Sequence, residues 1–201
     1  MFTGLIQDVG TVVGMSVTGK GARIRIESAL GPEISLGDSI AVNGICLTAT
    51  SANALGFEID AMNQTLAMTS LGGIGPESRV NLELAMQASD RLGGHIVQGH
   101  IDGVGMVVAV NEDGFARRVR VGLSPDLLRY AVDKGSIALS GVSLTIAELG
   151  GEWVEVSLIP ETLERTNLGA LAPGGKLNVE CDIVAKYVER LLAPFPGKDR
   201  A

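Results

Sequence analysis

Short runs of alternating apolar and polar residues dominate the chain. Ala22-Arg23-Ile24-Arg25-Ile26-Glu27, Phe57-Glu58-Ile59-Asp60 and Val154-Glu155-Val156-Ser157-Leu158, with the shorter Thr11-Val12-Val13, carry the period of half-buried strands. Gly and Asp separate these runs as turns. Helical spacing is confined to Gln64–Leu71, the similar Glu161–Leu168, Pro125–Val132 and one longer run near the end. There, Asp182 reads as an N-cap, and Ile183, Val184, Tyr187, Val188, Leu191 and Leu192 form one apolar stripe until Pro194 stops it. Such a stripe suits a helix packed on its own domain or one pairing with copies of itself. The tail, Phe195–Ala201, reads as frayed.

The pattern also repeats. Ser39-Ile40-Ala41-Val42-Asn43-Gly44-Ile45-Cys46-Leu47-Thr48 aligns with Ser136-Ile137-Ala138-Leu139-Ser140-Gly141-Val142-Ser143-Leu144-Thr145, an offset of 97 from position 39 to position 136. The same offset carries Gln64–Gly72 onto Glu161–Gly169 and Val80-Asn81-Leu82-Glu83 onto Leu177-Asn178-Val179-Glu180. Near the start the offset is 95, taking Gly4 to Gly99 and Val9-Gly10 to Val104-Gly105. Blocks in one order at near-constant spacing mean two copies of one module, each large enough to close its own core. Several short strands per copy, whose edges must be protected, predict an all-β chain with a small closed barrel in each half. The boundaries fall at residues 1–96 and 97–181, with a helix over 182–193 and a tail over 194–201.

Composition narrows the partners. The net charge is −7 and aromatic residues make up 3% of the chain. An acidic surface with few stacking rings disfavours nucleic acid and anionic membrane. The opening Met1–Asp8 has neither a basic region nor a long apolar stretch, which predicts a cytoplasmic chain. Cys46 and Cys181 are then free thiols.

The only histidines, His95 and His100, lie in Gly93-Gly94-His95-Ile96-Val97-Gln98-Gly99-His100-Ile101-Asp102-Gly103, at the junction of the copies. A spacing of five suits neither strand nor helix chelation, so no metal is expected. A cleft between modules, glycines that admit close approach and a side chain titrating near neutrality favour catalysis or ligand contact for His100; for His95, a structural bond to the junction backbone carries more weight. Cys46 and Ser143 hold the same place in each copy, within Gly-x-(Cys/Ser)-Leu-Thr. A polar pattern kept in both copies implies two equivalent pockets for two similar small molecules. Neither a phosphate-binding P-loop nor a Gly-x-Gly-x-x-Gly turn is present, which removes support for nucleotide hydrolysis and a Rossmann site.

These residues closely resemble the riboflavin synthase family of the lumazine-dismutating α-chain type. The likeness spans Met1-Phe2-Thr3-Gly4, Asn43–Thr48, Gly93–Gly103, Gly141–Thr145 and Ile159–Gly169. The resemblance implies two tandem, pseudo-symmetric, six-stranded Greek-key barrels plus a C-terminal helix that joins the subunits of a homotrimer. Each barrel would bind one 6,7-dimethyl-8-ribityllumazine. One lumazine donates a four-carbon unit to the other, giving riboflavin and 5-amino-6-(D-ribitylamino)uracil without a cofactor, in the last step of riboflavin biosynthesis. The catalytic candidates are His100 for the methyl proton and Cys46, Ser39 or Ser143 for the nucleophile. Substrate contacts are implied at Gly4, Leu5 and Ile6, at Cys46, Leu47 and Thr48, at Asp60, Ala61, Met62, Asn63, Gln64 and Thr65, and at Gly99, His100 and Ile101. In the second barrel they are implied at Lys134, at Ser143, Leu144 and Thr145, and at Ser157, Leu158, Ile159, Pro160, Glu161 and Thr162. The first copy departs from the family at Gln64, Ala67, Met68 and Ser70, where the second has Glu161, Glu164, Arg165 and Asn167. A non-catalytic lumazine- or flavin-binding paralogue is the alternative reading, and lumazine synthase is a further partner raised by the family setting.

Overall fold

A computed structural model describes residues 1–193 of the 201-residue chain. The first six strands are β1 (Asp8–Thr18), β2 (Gly21–Glu27), β3 (Ser39–Val42), β4 (Ile45–Asn53), β5 (Gly56–Ala61) and β6 (Arg79–Leu84). They close into an antiparallel barrel in the order β1-β2-β5-β4-β3-β6. The next six, β7 (Gly103–Asp113), β8 (Ala116–Gly122), β9 (Ser136–Leu139), β10 (Val142–Leu149), β11 (Trp153–Leu158) and β12 (Lys176–Cys181), close in the equivalent order β7-β8-β11-β10-β9-β12. The repeat read from the sequence is therefore a repeat of topology.

Alternation does the sorting. In β2, Ile24 and Ile26 are fully buried while Arg23 and Arg25 face out. Ile24, Ile26, Ile40, Ile59 and Leu82 fill the first core, and Val119, Ile137, Ile146, Val156 and Leu158 fill the second. Each such side chain contributes about 1.5–3 kcal/mol on burial. Closing so small a barrel requires sharp bends, and the register slips at matching places in the two copies. The slips occur at Val12/Gly14 and Ala49/Ser51 in one, and at Val107/Ala109 and Ile146/Glu148 in the other.

The predicted helices at Gln64–Leu71 and Glu161–Leu168 are each split in two. α1 (Asn63–Met68) precedes a 3-10 turn at Ser70–Gly73, and α3 (Pro160–Arg165) precedes one at Asn167–Ala170. Thr69 and Thr166 leave helical geometry, with φ near −131° and −134°. Each threonine hydroxyl donates to the carbonyl four residues back, at 2.6 Å, and accepts the N–H two residues on, at 3.2 Å. A side chain thus satisfies groups the helix would have paired, and Leu71 and Leu168 turn into the cores. The Pro125–Val132 helix shortens to α2 (Pro125–Leu128), because the N–H groups of Tyr130 and Ala131 bond three residues back.

α4 (Ile183–Leu192) forms where expected, with Asp182 Oδ1 accepting the Val184 N–H at 2.9 Å. Pro194 and the tail over 195–201, to which a stop and fraying were assigned, lie outside the described residues.

The barrels are joined around an approximate two-fold relation. The turns Asn43-Gly44 and Ser140-Gly141 meet back to back. Asn81 Nδ2 donates across to the Ser140 carbonyl, and Asn178 Nδ2 donates to the Asn43 carbonyl, both at 2.9 Å. Phe2 and Val97 pair antiparallel through reciprocal backbone bonds, over a small cluster with Ala41 and Ala138. Since Asn81 and Asn178 are fully buried, losing either would leave unpaired polar groups in the interface, at about 1–3 kcal/mol each.

Candidate functional site

Each barrel is entered by a short extended segment, and each segment leans on the opposite barrel. The N–H groups of Thr3 and Gly4 donate to the Glu83 carboxylate of β6 at 2.6 and 2.9 Å, but the Gly4 carbonyl accepts the Ser143 N–H of β10 at 2.8 Å. In the other half, Gln98, Gly99 and His100 donate to Glu180 of β12 at 2.6, 2.9 and 3.2 Å, while the Gly99 carbonyl accepts the Cys46 N–H of β4 at 2.9 Å. Burial pushes both carboxyls upward, opposed by the backbone donors aimed at them. Gly4 and Gly99 have φ of 75° and 80°, and a Cβ there would lie 2.6 Å from Ser143 Cβ and 2.5 Å from Cys46 Cβ. Only glycine lets these crossings come so close.

Two equivalent surfaces result. Around the first barrel, Cys46 and Thr48 face out from β4, and half-buried Ser39 sits opposite Thr48 in the register. Gly99, His100 and Ile101 border Cys46 from the crossing segment. The end of β5 and the start of α1 supply Asp60, Ala61, Met62, Asn63, Gln64 and Thr65. Around the second barrel, Ser143 and Thr145 face out from β10, bordered by Gly4, Leu5 and Ile6. Ser157, Leu158, Ile159, Pro160, Glu161 and Thr162 come from β11 and α3. Gly4, Leu5 and Ile6, assigned on the sequence alongside the first-barrel residues, thus belong to the second surface: the chain crosses before entering its own barrel, and Ile6 packs on the second core. Leu47, Ala61 and Leu158 point into the cores, leaving only their backbone groups to face a ligand. Lys134, with φ of 62°, folds its ammonium onto the Ala147 carbonyl of β10.

The surfaces differ in their titratable groups. His100 is exposed at the place where the other copy has Leu5. His95 is buried against the second surface, its Nδ1 2.7 Å from Ser143 Oγ. Burial lowers the His95 pKa, so the neutral ring that can accept the Ser143 hydroxyl proton is favoured. The second surface therefore joins an imidazole to a hydroxyl, His95 with Ser143, while on the first the segment that carries His100 meets Cys46 through the Gly99 carbonyl. The sequence does not show the His95 contact, although Gly94 signals it: a Cβ on Gly94 would meet Ser143 Oγ at 2.8 Å.

Asp60 is held by Arg23 through two bonds of 2.7 and 2.8 Å, which keep its carboxyl below the usual range. That pair, with Ser16, Thr18, Lys20 and Met62, lines a cavity of about 330 Å³ beside the first surface, and Ser16, Thr18, Lys20 and Arg23 escaped the sequence reading. The second copy has Ser157 in place of Asp60, while Arg118 turns to Glu155 at 2.7 Å. Among the described residues, no three His, Cys, Asp or Glu side chains converge as metal ligands, and no helix is long and apolar enough to cross a membrane.

Two like barrels presenting two like polar surfaces define a protein that handles a pair of similar small molecules. The family model for the lumazine binding domain matches twice, at residues 3–85 and 98–182. Riboflavin synthase of Actinobacillus pleuropneumoniae is 44% identical over 200 residues, covering 99% of this chain and 93% of the relative. Riboflavin synthase of Mycobacterium tuberculosis H37Rv is 47% identical over 200 residues, with 96% and 98% covered. The crystal structure of LumP complexed with riboflavin superposes with a TM-score of 0.84 at 26% identity, covering 90% of this chain and 99% of that one. The chain belongs to the riboflavin synthase family of tandem lumazine-binding-domain proteins.

Proposed function

We propose that this chain, as a riboflavin synthase, converts two molecules of 6,7-dimethyl-8-ribityllumazine into riboflavin and 5-amino-6-(D-ribitylamino)uracil, on a site made from the first surface of one subunit and the second surface of another. The atoms of two lumazines equal those of the two products, so the overall reaction needs no oxidant, reductant or cofactor. The C7 methyl of the lumazine is acidified by the conjugated ring. The protein has then to align two rings, accept a proton and supply or activate a nucleophile.

The observation that carries this reading is the reciprocal crossing at Gly4–Ser143 and Gly99–Cys46. It leaves Ser143 beside the His95 imidazole on one surface, and on the other it runs the segment carrying His100 past Cys46. Between β4 and β10, beyond the turns where they start, run the two paired segments about Val97 and Phe2. Reacting atoms must approach to about 3.5 Å. In this reading a second subunit brings its second surface against the first, so that the two lumazines face each other.

In this assignment His100 takes the methyl proton of a lumazine, and Cys46 with Ser39 flanks the ring on the first surface. Ser143, its hydroxyl directed by His95, assists addition at C7 of the lumazine on the second. Thr48, Thr145 and Ser157 offer hydroxyls to the ribityl chains, and backbone groups at Asp60–Met62 and Ser157–Ile159 read the pyrimidinedione edges. The subunits form a homotrimer through α4. Tyr187, Leu191 and Leu192 on α4 are 63%, 71% and 79% exposed, whereas its polar side is tied to its own barrel by Lys186 to Asp102 and by Tyr130 to Glu189. A cytoplasmic site of action and lumazine synthase, as the supplier of substrate, complete the proposal.

Pure protein incubated with the lumazine alone tests it. Sustained release of riboflavin and the pyrimidine in equal amounts is expected. A stable stoichiometric complex without turnover would instead establish a binding paralogue.

A further inference from the structure

The barrels meet over another cavity, of about 480 Å³, which borders neither Cys46 nor Ser143. Arg79 and Lys176 line it, each opening the last strand of its barrel and related by the offset of 97. Ile74 and Leu171, related in the same way, form apolar walls. The cavity therefore straddles the two-fold relation and presents two cations to one space. Its frame is fixed: the Arg79 carbonyl accepts Asn167 Nδ2 at 3.0 Å, and the buried Asn81 and Asn178 side chains bolt the strands across the interface.

Charge makes the place unusual. The chain carries −7 overall, yet no carboxylate lines this cavity. Arg79 and Lys176, like Lys20, Arg25, Arg91 and Arg190, have no acidic partner among the described residues, but these two share one cavity. Ser78 and Ser140 also line it. Ser78 Oγ accepts the Gly75 N–H at 3.0 Å, which leaves its proton to donate. Paired cations with hydroxyl donors suit an anion with many acceptor oxygens.

We propose that this cavity binds a small phosphorylated organic anion, its diphosphate held between Arg79 and Lys176 and its organic body against Ile74 and Leu171. The volume exceeds what a diphosphate fills and falls within the range of small-molecule sites. Neither lumazine nor riboflavin carries a phosphate, so the ligand is distinct from the substrate and product.

Titration calorimetry with inorganic pyrophosphate at low ionic strength provides the test, with orthophosphate and sulfate as comparison anions. Pyrophosphate is expected to bind about tenfold more tightly than either, and Arg79→Gln or Lys176→Gln to weaken it about tenfold each. It should also raise the melting temperature of the wild type and not that of the double variant. Both side chains are exposed, so the variants should melt like the wild type without ligand. Arg91→Gln, at an exposed arginine outside the cavity, should bind as the wild type does. Equal affinity for all three anions, binding that survives the double substitution, or an equal loss in Arg91→Gln would overturn the proposal.

Discussion

His95 shows how much one buried side chain can carry. It holds Ser143 at 2.7 Å, and burial lowers its pKa from the ordinary 6.5. The stability tied to that neutral ring is complete above pH 6.5 and is lost as pH falls toward the lower folded value, because the unfolded chain takes up the proton first. Glu83 and Glu180 act in the opposite sense: their raised pKa values add stability on the acid side that is lost as pH rises. In a comparison with His95→Gln both carboxyls cancel. The variant should be less stable by about 1–2 kcal/mol at pH 7.5, and the gap should narrow by pH 5.5 in thermal melts. A gap independent of pH would contradict the assignment. The sequence exposes His95 and its glycines but not this contact, because the residue brought to it lies 48 positions away on a strand of the second barrel.

Among the elements, strands were more legible than helices. The alternation at Ala22–Glu27 and Val154–Leu158 recurs as β2 and β11 within a residue or so, since one buried and one solvated face force period two. Gln64–Leu71 keeps helical spacing of apolar residues across a break made by Thr69, and periodicity is blind to a hydroxyl replacing a backbone partner. The Glu161–Arg165 ion pair of α3, absent from α1, is exposed and contributes little, about 0.3–0.5 kcal/mol. α4 is different: the stripe read from the sequence exists, and the structure leaves its residues unburied. Val188→Glu with Leu191→Glu should leave the fold intact, reduce the mass in sedimentation by about two thirds, from trimer to monomer, and lower lumazine turnover with it. An unchanged mass would remove α4 from the assembly.

At the scale of the whole molecule, duplication was written plainly in the chain, and the exchange of entry segments was not. Two copies with matching residues make within-copy and between-copy contacts look alike, so Gly4 could as readily have met Cys46 as Ser143. The crossing closes each surface with residues of the other half, and the proposed reaction site draws its two surfaces from different subunits. Complementation puts this to the test. Thr48→Trp and Thr145→Trp fill equivalent, exposed positions on the first and second surfaces, and each alone should abolish turnover. Co-expressed subunits that mix at random should regain about a quarter of wild-type activity, because each working site draws one intact surface from either variant. Mixed assemblies as inactive as their parents would show that both lumazines react on one chain.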